Sequence, residues 1–256
     1  MLVDSHCHID FPDYAERIPQ VLENMARHQV THALCVSVNL VDFPRVLALA
    51  ERHPQLFASV GVHPDHAEGS GPDMNELIER AQQPKIVAIG ETGLDYFRQT
   101  GDLEWQRQRF RIHIRAAREA GKPLIIHTRD AGEDTLRILR EERAGEAGGV
   151  MHCFTETLEF AHAAMDLGFY ISFSGIVTFK NAHSLKAVAK AIPLERMLVE
   201  TDSPYLAPVP HRGKTNEPGW VRHVAEEVAG LRGIPLEALA EATSANFFRL
   251  FKAAKC

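Results

Sequence analysis

The sequence predicts an α/β protein built as a closed (β/α)8 barrel of the TIM type. Eight short apolar runs alternate with segments of helical periodicity along the 256 residues, which is the order of elements in a parallel sheet. Most of these runs are continuously apolar, as expected of parallel strands covered on both faces. Such a barrel fills roughly 250 residues as one domain, so we expect a single domain over residues 1–256.

The strands are placed by apolar runs that end in polar or glycine-rich sequence. In chain order they are Leu2–His6, Ala33–Val38, Phe57–Val62, Ile86–Glu91, Leu124–His127, Gly149–His152, Phe169–Phe173 and Met197–Asp202.

The intervals carry apolar residues at three- and four-residue spacing, which predicts helices. The clearest are Leu103–Ala120, stopped by Gly121, and Glu217–Leu231. Ser203–Pro218 is long, irregular and rich in proline. A loop of this length in a compact domain is often functional, and this one should lie over the mouth of the barrel.

Composition excludes several classes of protein. No apolar run approaches the roughly 20 residues of a membrane span, and the start MLVDSHCHID lacks the pattern of a signal peptide. A net charge of −6 argues against a protein that coats nucleic acid through a broad basic face. We therefore expect a cytoplasmic protein without a membrane association, and nothing indicates an obligate protein partner.

The four cysteines, Cys7, Cys35, Cys153 and Cys256, lack the paired spacing of a zinc ribbon or redox motif. Free thiols in a reducing compartment are expected. Strand alternation predicts that Cys7 and Cys153 point away from the histidines beside them.

Six potential metal ligands recur at one place, the C-terminal end of a predicted strand. They are His6, His8, Glu91, His127, His152 and Asp202. The C-terminal strand ends of a parallel barrel meet in one small volume, where such barrels have their active sites. Imidazole and carboxylate ligands suit Zn, Mn, Fe or Ni, or a mixed site that also accepts Mg. The pattern predicts a hydrolase with two divalent cations per chain.

Within this set, the spacing of His6 and His8 puts both side chains on one side of a strand; a hydrogen-bonded pair is the alternative. Asp4 is expected to orient an imidazole. Glu91 is predicted to bridge two cations, and the glycines around it favour close approach of the backbone to another group. Its alternative is an exposed loop acid.

Asp202 is predicted to be a terminal ligand that also orients the nucleophilic water or takes its proton. Glu200 lies on the same side of the strand and is expected to contact a ligand without binding the cation itself. The alternative for Asp202 is a helix cap. The matching positions of His127 and His152 on successive strands favour a role as metal ligands. Either histidine alone would more often be structural.

Substrate contacts are predicted outside the ligand set. His63 ends the third strand and Arg129 follows His127, so both face the same site. His211, Arg212 and Lys214 in the long loop are predicted to clamp an anion; a solvated basic turn is the alternative. Histidines in the predicted helices, such as His113, are expected at the surface or at helix ends.

Together these residues resemble the TatD family of metal-dependent hydrolases and nucleases, within the amidohydrolase-like barrel superfamily, and its YcfH-type bacterial branch above all. The resemblance spans essentially the whole chain. It is carried by VDSHCHID (3–10), GETGLD (90–95), PLIIHTRD (123–130), MHCF (151–154), ETDSP (200–204), PHRGK (210–214) and NEP (216–218).

The resemblance implies one cation held by His6, His8, Glu91 and Asp202, and a second held by Glu91, His127 and His152. It implies a Mg-dependent deoxyribonuclease with 3′-to-5′ exonuclease action on nucleic acid ends, DNA and possibly RNA or tRNA. Some relatives are associated with D-aminoacyl-tRNA deacylation.

Three alternatives stay open at the level of sequence. The same metal centre could cleave an ester or amide, such as an aminoacyl ester. A barrel could bind metal or a partner without catalysis, because fold does not fix function. Histidinol-phosphatase-like phosphoesterases also open with His-x-His, and these generally need a third metal.

Overall fold

The computed structural model describes residues 1–66 and 71–255. The strands are β1 (Leu2–Cys7), β2 (Val30–Cys35), β3 (Leu56–Val60), β4 (Ile86–Asp95), β5 (Leu124–Arg129), β6 (Gly149–Met151), β7 (Phe169–Phe173) and β8 (Met197–Val199). The helices are α1 (Ile18–Arg27), α2 (Phe43–Arg52), α3 (Met74–Ala81), α4 (Glu104–Ala120), α5 (Gly132–Glu141), α6 (Leu158–Asp166), α7 (His183–Ala191), α8 (Val221–Arg232) and α9 (Leu236–Leu250).

The strands form one parallel sheet in chain order, β1 to β8, with helices between them, so the predicted barrel is confirmed. Beyond the end of β8 the chain continues beside β1. There the backbone amide of Asp202 donates to the carbonyl of His6 (2.9 Å), and that of His8 donates to the carbonyl of Ser203 (2.8 Å). These bonds nearly close the barrel at the end where the predicted ligands lie.

Two apolar clusters fill the molecule on either side of the sheet. Alternate strand residues such as Ile89 and Ile126 pack outwards among the helices. Their neighbours in sequence, such as Ala88 and Ile125, form the second cluster together with Phe247 of α9. Because strand side chains alternate between faces, this second cluster fills the barrel interior and leaves its other end to polar residues.

Cys7 packs in the outer cluster, away from the histidines beside it, as alternation predicted. Cys35 and Cys153 are also free thiols, whereas Cys256 lies outside the described residues. Across residues 1–66 and 71–255, none of the helices combines the length and apolarity of a membrane span.

Candidate metal centre

Four donor atoms converge where β1, β4 and the end of β8 meet: His6 Nε2, His8 Nε2, Glu91 Oε2 and Asp202 Oδ1. The distances from an imidazole nitrogen to another donor run from 3.1 Å, between the two histidines, to 3.8 Å, between His8 and Glu91. Donors around a tetrahedral cation with bonds of 2.0–2.1 Å lie about 3.3 Å apart. The spacing of these atoms fits a cation at their centre.

The other carboxylate oxygen of Glu91 faces a second group of donors. Oε1 lies 2.9 Å from His152 Nε2, 3.1 Å from His127 Nδ1 and 3.2 Å from His63 Nε2. From its position at the end of the third predicted strand, His63 was expected on the substrate side of the site. The structure places it within the second donor group, at the same range from Glu91 as His127.

The hydrogen bonding of the rings shows which nitrogens are left to bind a cation. His8 Nδ1 donates to the carbonyl of Val36 (2.9 Å), so Nε2 of the neutral ring carries no proton. His152 Nδ1 likewise faces Glu200 Oε1 at 3.1 Å. Its buried Nε2 lies close to Glu91 but makes no hydrogen bond with any described group. Lone pairs held this way are suited to metal coordination.

Electrostatics favour positive charge at the same place. Burial alone would raise the pKa of Glu91, but the charges of His152 and His63 and the hydrogen bond from His127 outweigh it and hold that pKa well below its usual range. Burial would lower the pKa of His63, but Glu91 and Asp65 raise it to about 9. A buried carboxylate is costly unless positive charge is near, and divalent cations would supply that charge.

All of these donor residues except His6 line a cavity of about 890 Å³ that opens at the C-terminal ends of the strands. His63 and Arg129, two predicted substrate contacts, lie on its wall, together with Asp42, Asp65 and Arg98. Its volume is near the upper end for a pocket that binds a small ligand.

Comparison with known proteins gives one consistent result. A family model described as TatD related DNase matches residues 3–252. The chain belongs to the TatD family. It is 49% identical over 253 residues to the uncharacterized metal-dependent hydrolase YcfH of Escherichia coli K12, covering 98% of this chain and 95% of that protein.

Two further relatives extend the comparison. The 3′-5′ ssDNA/RNA exonuclease TatD of Erwinia billingiae is 35% identical over 246 residues, 93% of this chain and 94% of that one. The crystal structure of YJJV, a TatD homologue from E. coli, superposes with a TM-score of 0.89 at 30% identity and covers 98% of both chains. The protein is thus a metal-dependent hydrolase of the TatD family.

The basic loop of this TatD-family chain is held by aromatic contacts outside the cavity lining. His211, Arg212 and Lys214 are not among the residues lining the cavity. His211 instead stacks on Trp220 with ring centroids 4.0 Å apart, and the guanidinium of Arg212 lies 3.6 Å from the ring centroid of Phe179. His211 also lies beside α8, with its Nε2 3.2 Å from His223 Nε2, and the anion clamp stays a prediction.

In each histidine of the second donor group, the ring nitrogen that does not face Glu91 lies close to a carboxylate oxygen. Glu200 faces His152, Asp65 Oδ1 lies 2.5 Å from His63 Nδ1, and Asp95 Oδ2 lies 3.2 Å from His127 Nε2. Glu200 was expected there. Asp95 was missed, although a strand continuing past Glu91 would place it on the same side, four residues later.

Asp4 does not orient an imidazole. Its Oδ1 accepts from the backbone amide of Thr201 (2.8 Å), and its Oδ2 accepts from the Thr201 hydroxyl (2.5 Å). Asp4 therefore joins β1 to the segment after β8, and its effect on the donors is to hold the strand ends together.

The glycines around Glu91 are needed for strand packing. A Cβ on Gly90 would lie 2.6 Å from the carbonyl oxygen of Ile125, and one on Gly93 would lie 1.9 Å from that of His127. Both glycines have positive φ, 145° and 139°. The close approach predicted from sequence is therefore to the backbone of β5.

Cys153 does not point away from the site. It lines the cavity, and its Sγ lies 3.3 Å from Ser174 Oγ. Strand β6 ends at Met151, so alternation no longer applies two residues later, and the φ of Cys153 is 43°.

Proposed function

We propose that this protein is a two-cation phosphodiesterase that removes nucleotides from the 3′ end of DNA. The observation that carries the proposal is Glu91, whose two oxygens face separate groups of donors. That arrangement suits one carboxylate shared between two cations, and the name of the Erwinia relative supports a nucleic acid substrate.

We assign His6, His8, Glu91 and Asp202 to one cation, and Glu91, His127 and His152 to the other, with His63 within reach of the second. The nitrogen and oxygen donors accept Mg, Mn, Zn, Ni or Fe. When bound, such cations lower the pKa of coordinated water and neutralise charge on phosphoryl oxygens.

Asp202 is the proposed acceptor of the proton of the attacking water. Burial would raise its pKa, but the hydrogen bond from His8 and the charges of His152 and His6 lower it. Asp202 therefore stays a carboxylate, and it lies on the cavity wall where substrate and water enter.

Arg129 is the proposed phosphate-binding residue. Within residues 1–66 and 71–255, its guanidinium makes no salt bridge, whereas Arg45 and Arg98 on the same wall both pair with aspartates. A cation without a carboxylate partner favours an anionic substrate.

The test is hydrolysis of 3′-end-labelled single-stranded DNA, bis-p-nitrophenyl phosphate and an aminoacyl ester. Metal-free protein is compared with protein reloaded with Mg, Mn or Zn. We expect metal-dependent loss of 3′ nucleotides and a fall of roughly a thousand-fold or more in Glu91→Gln, because several kcal/mol of metal-derived stabilisation are lost. The exposed Glu195→Gln is the matched control.

The alternatives give distinct results. Ester cleavage without phosphodiester cleavage would make the protein a deacylase on the same centre, and three metals per chain would favour the histidinol-phosphatase-like chemistry. Inertness of metal-loaded protein toward all three substrates would contradict the proposal.

A further inference from the structure

The large apolar side chains exposed in the described residues are concentrated on the face that carries the cavity. Val41, Phe97, Tyr205 and Val209 are exposed, and each lies in a loop that leaves the C-terminal end of a strand. Met1, at the start of the chain, is the exception. Exposed apolar groups gathered on one face indicate a binding surface.

Two of these side chains are aromatic: Tyr205 lines the cavity, and Phe97 contacts Arg129 on the cavity wall. Phe97 is 59% exposed and Tyr205 is 55% exposed. Tyr205 lines the cavity and meets Phe11 edge to face, with centroids 6.4 Å apart. Phe11 in turn stacks on the candidate ligand His8, with centroids 4.9 Å apart and planes inclined by 18°. The aromatic series thus leads from the metal centre to the surface.

In the loop that follows β4, Phe97 contacts Arg129, whose guanidinium makes no salt bridge among the described residues. The guanidinium carbon of Arg129 lies 3.8 Å from the Phe97 ring centroid. This cation–π contact holds the guanidinium at the rim, so an aromatic face and a phosphate-binding group are presented side by side.

Charge decides what these aromatic rings can bind. The chain carries a net charge of −6, and Asp42, Asp65 and Asp202 line the cavity. Affinity for a polyanion therefore cannot come from a broad basic surface. Stacking of bases on aromatic rings adds affinity without further cations and is available to every base of an unpaired strand.

We propose that Phe97 and Tyr205 are stacking sites for unpaired bases on either side of the scissile phosphate, with Arg129 and Phe11 holding the two rings in place. This inference rests on the proposed function. Bases within a duplex are stacked on one another and do not reach the rings, so the same residues would select single strands.

The test is binding of fluorescein-labelled oligothymidylate to the full metal-loaded chain that carries Asp202→Asn to prevent turnover. An oligomer of equal length made of abasic residues and a blunt duplex are measured alongside. Phe97→Ala and Tyr205→Ala should each weaken oligothymidylate binding by about 5- to 150-fold and weaken binding of the abasic oligomer much less. Phe97→Tyr and Tyr205→Phe should restore binding.

Val41→Ala is the matched control, because Val41 is exposed on the same face but is not part of the aromatic series. All four aromatic variants should melt with the parent, since the altered rings are largely exposed. Equal loss of oligothymidylate and abasic oligomer, or duplex bound as tightly as single strand, would overturn the inference. So would unchanged DNA binding accompanied by a change in oligomeric state, which would assign the rings to a protein interface.

Cleavage by the chain with Asp202 intact separates this inference from the function itself. If Phe97→Ala and Tyr205→Ala cleave DNA normally, the proposed nuclease activity is supported and the proposed stacking sites are contradicted. Base-dependent binding without cleavage of DNA would support the stacking sites and contradict the proposed nuclease activity.

Discussion

Asp95 controls which nitrogen of His127 is available to a cation. The carboxylate faces His127 Nε2 and leaves Nδ1 directed at Glu91. Burial would raise the pKa of Asp95, but the hydrogen bonds from His127 and from the Arg98 amide lower it to about 2. Asp95 is therefore an acceptor at every working pH, and it requires the proton of His127 to be on Nε2.

Asp95→Asn should weaken the second cation selectively. The amide oxygen can still accept from the backbone of Phe97 and Arg98, as Oδ1 does now at 3.0 Å and 2.8 Å, so the local turn survives. The amide nitrogen, however, would face His127 Nε2 with a donor and shift the proton to Nδ1. We expect about 10- to 100-fold weaker binding of one cation.

Metal content at controlled free Mn concentration measures this change, with Asp42→Asn, on the same cavity wall, as the control. Two cations retained at parental affinity would show that Asp95 does not set the tautomer of His127.

The sequence was sufficient to predict that the six candidate ligands lie close together. It was insufficient to predict which other residues position them. His6, Glu91 and Asp202 end apolar runs, and barrel geometry converts that position into proximity. The place of His63 in the second donor group depends on how far the chain after β3 leans inward, which no local pattern encodes. The same holds for the basic loop, because its contacts with Trp220 and Phe179 depend on how the loop folds back on its neighbours.

At the level of elements, α4 sets the position of the chain that follows β3. His113 of α4 is fully buried; its Nδ1 donates to the carbonyl of Arg109 (2.8 Å), and its Nε2 accepts from the backbone amide of Val62 (3.0 Å). His63 follows directly. His113 was expected at the surface, because the helical pattern alone does not reveal that its ring bonds a neighbouring loop.

This bond requires a neutral ring, which makes stability depend on pH. Burial lowers the pKa of His113 from 6.5 to about 4. Between these values the unfolded chain binds a proton that the folded chain does not. The contribution of the neutral His113 ring to the free energy of unfolding is therefore complete above pH 6.5 and is lost as pH falls toward 4. Its full size is on the order of 3 kcal/mol.

His113→Gln should unfold more easily than the parent at pH 7, and the difference in unfolding free energy should shrink by about 3 kcal/mol on going to pH 4. Urea unfolding at several pH values measures it, with the exposed His162→Gln as control. A difference that stays constant across this range would mean that His113 does not titrate between the two states.

Strand ends were harder to predict than strand existence. β8 was expected to reach Asp202 but ends at Val199. The apolar run stops at Val199, and the amide of Thr201 bonds the side chain of Asp4 where a ladder would use a backbone carbonyl. A strand end is defined by its partner's hydrogen bonds, and hydropathy does not contain that information.

For the whole molecule, the barrel joins donors that come from nearly the full length of the chain. The two donor groups draw on β1, β4 and β5 and on the segments that follow β3, β6 and β8, so a bound cation connects strands across the mouth of the barrel. Without cations, Glu91 and the histidines around it are buried with imperfect hydrogen bonding, as His152 Nε2 shows. Metal binding should therefore stabilise the entire fold.

Chelation should lower the melting temperature of the whole chain in a single transition. A cation present at a hundred times its dissociation constant stabilises the folded state by about 2.7 kcal/mol, which corresponds to roughly 5–10 °C for a chain of this size. Calorimetry of dialysed protein with and without added Mn measures the shift, and re-addition should reverse it. Glu91→Gln should show a much smaller shift, because both donor groups lose their shared carboxylate, whereas Glu195→Gln should match the parent. Equal melting temperatures with and without metal would mean that the donors do not bind a cation tightly in the folded chain.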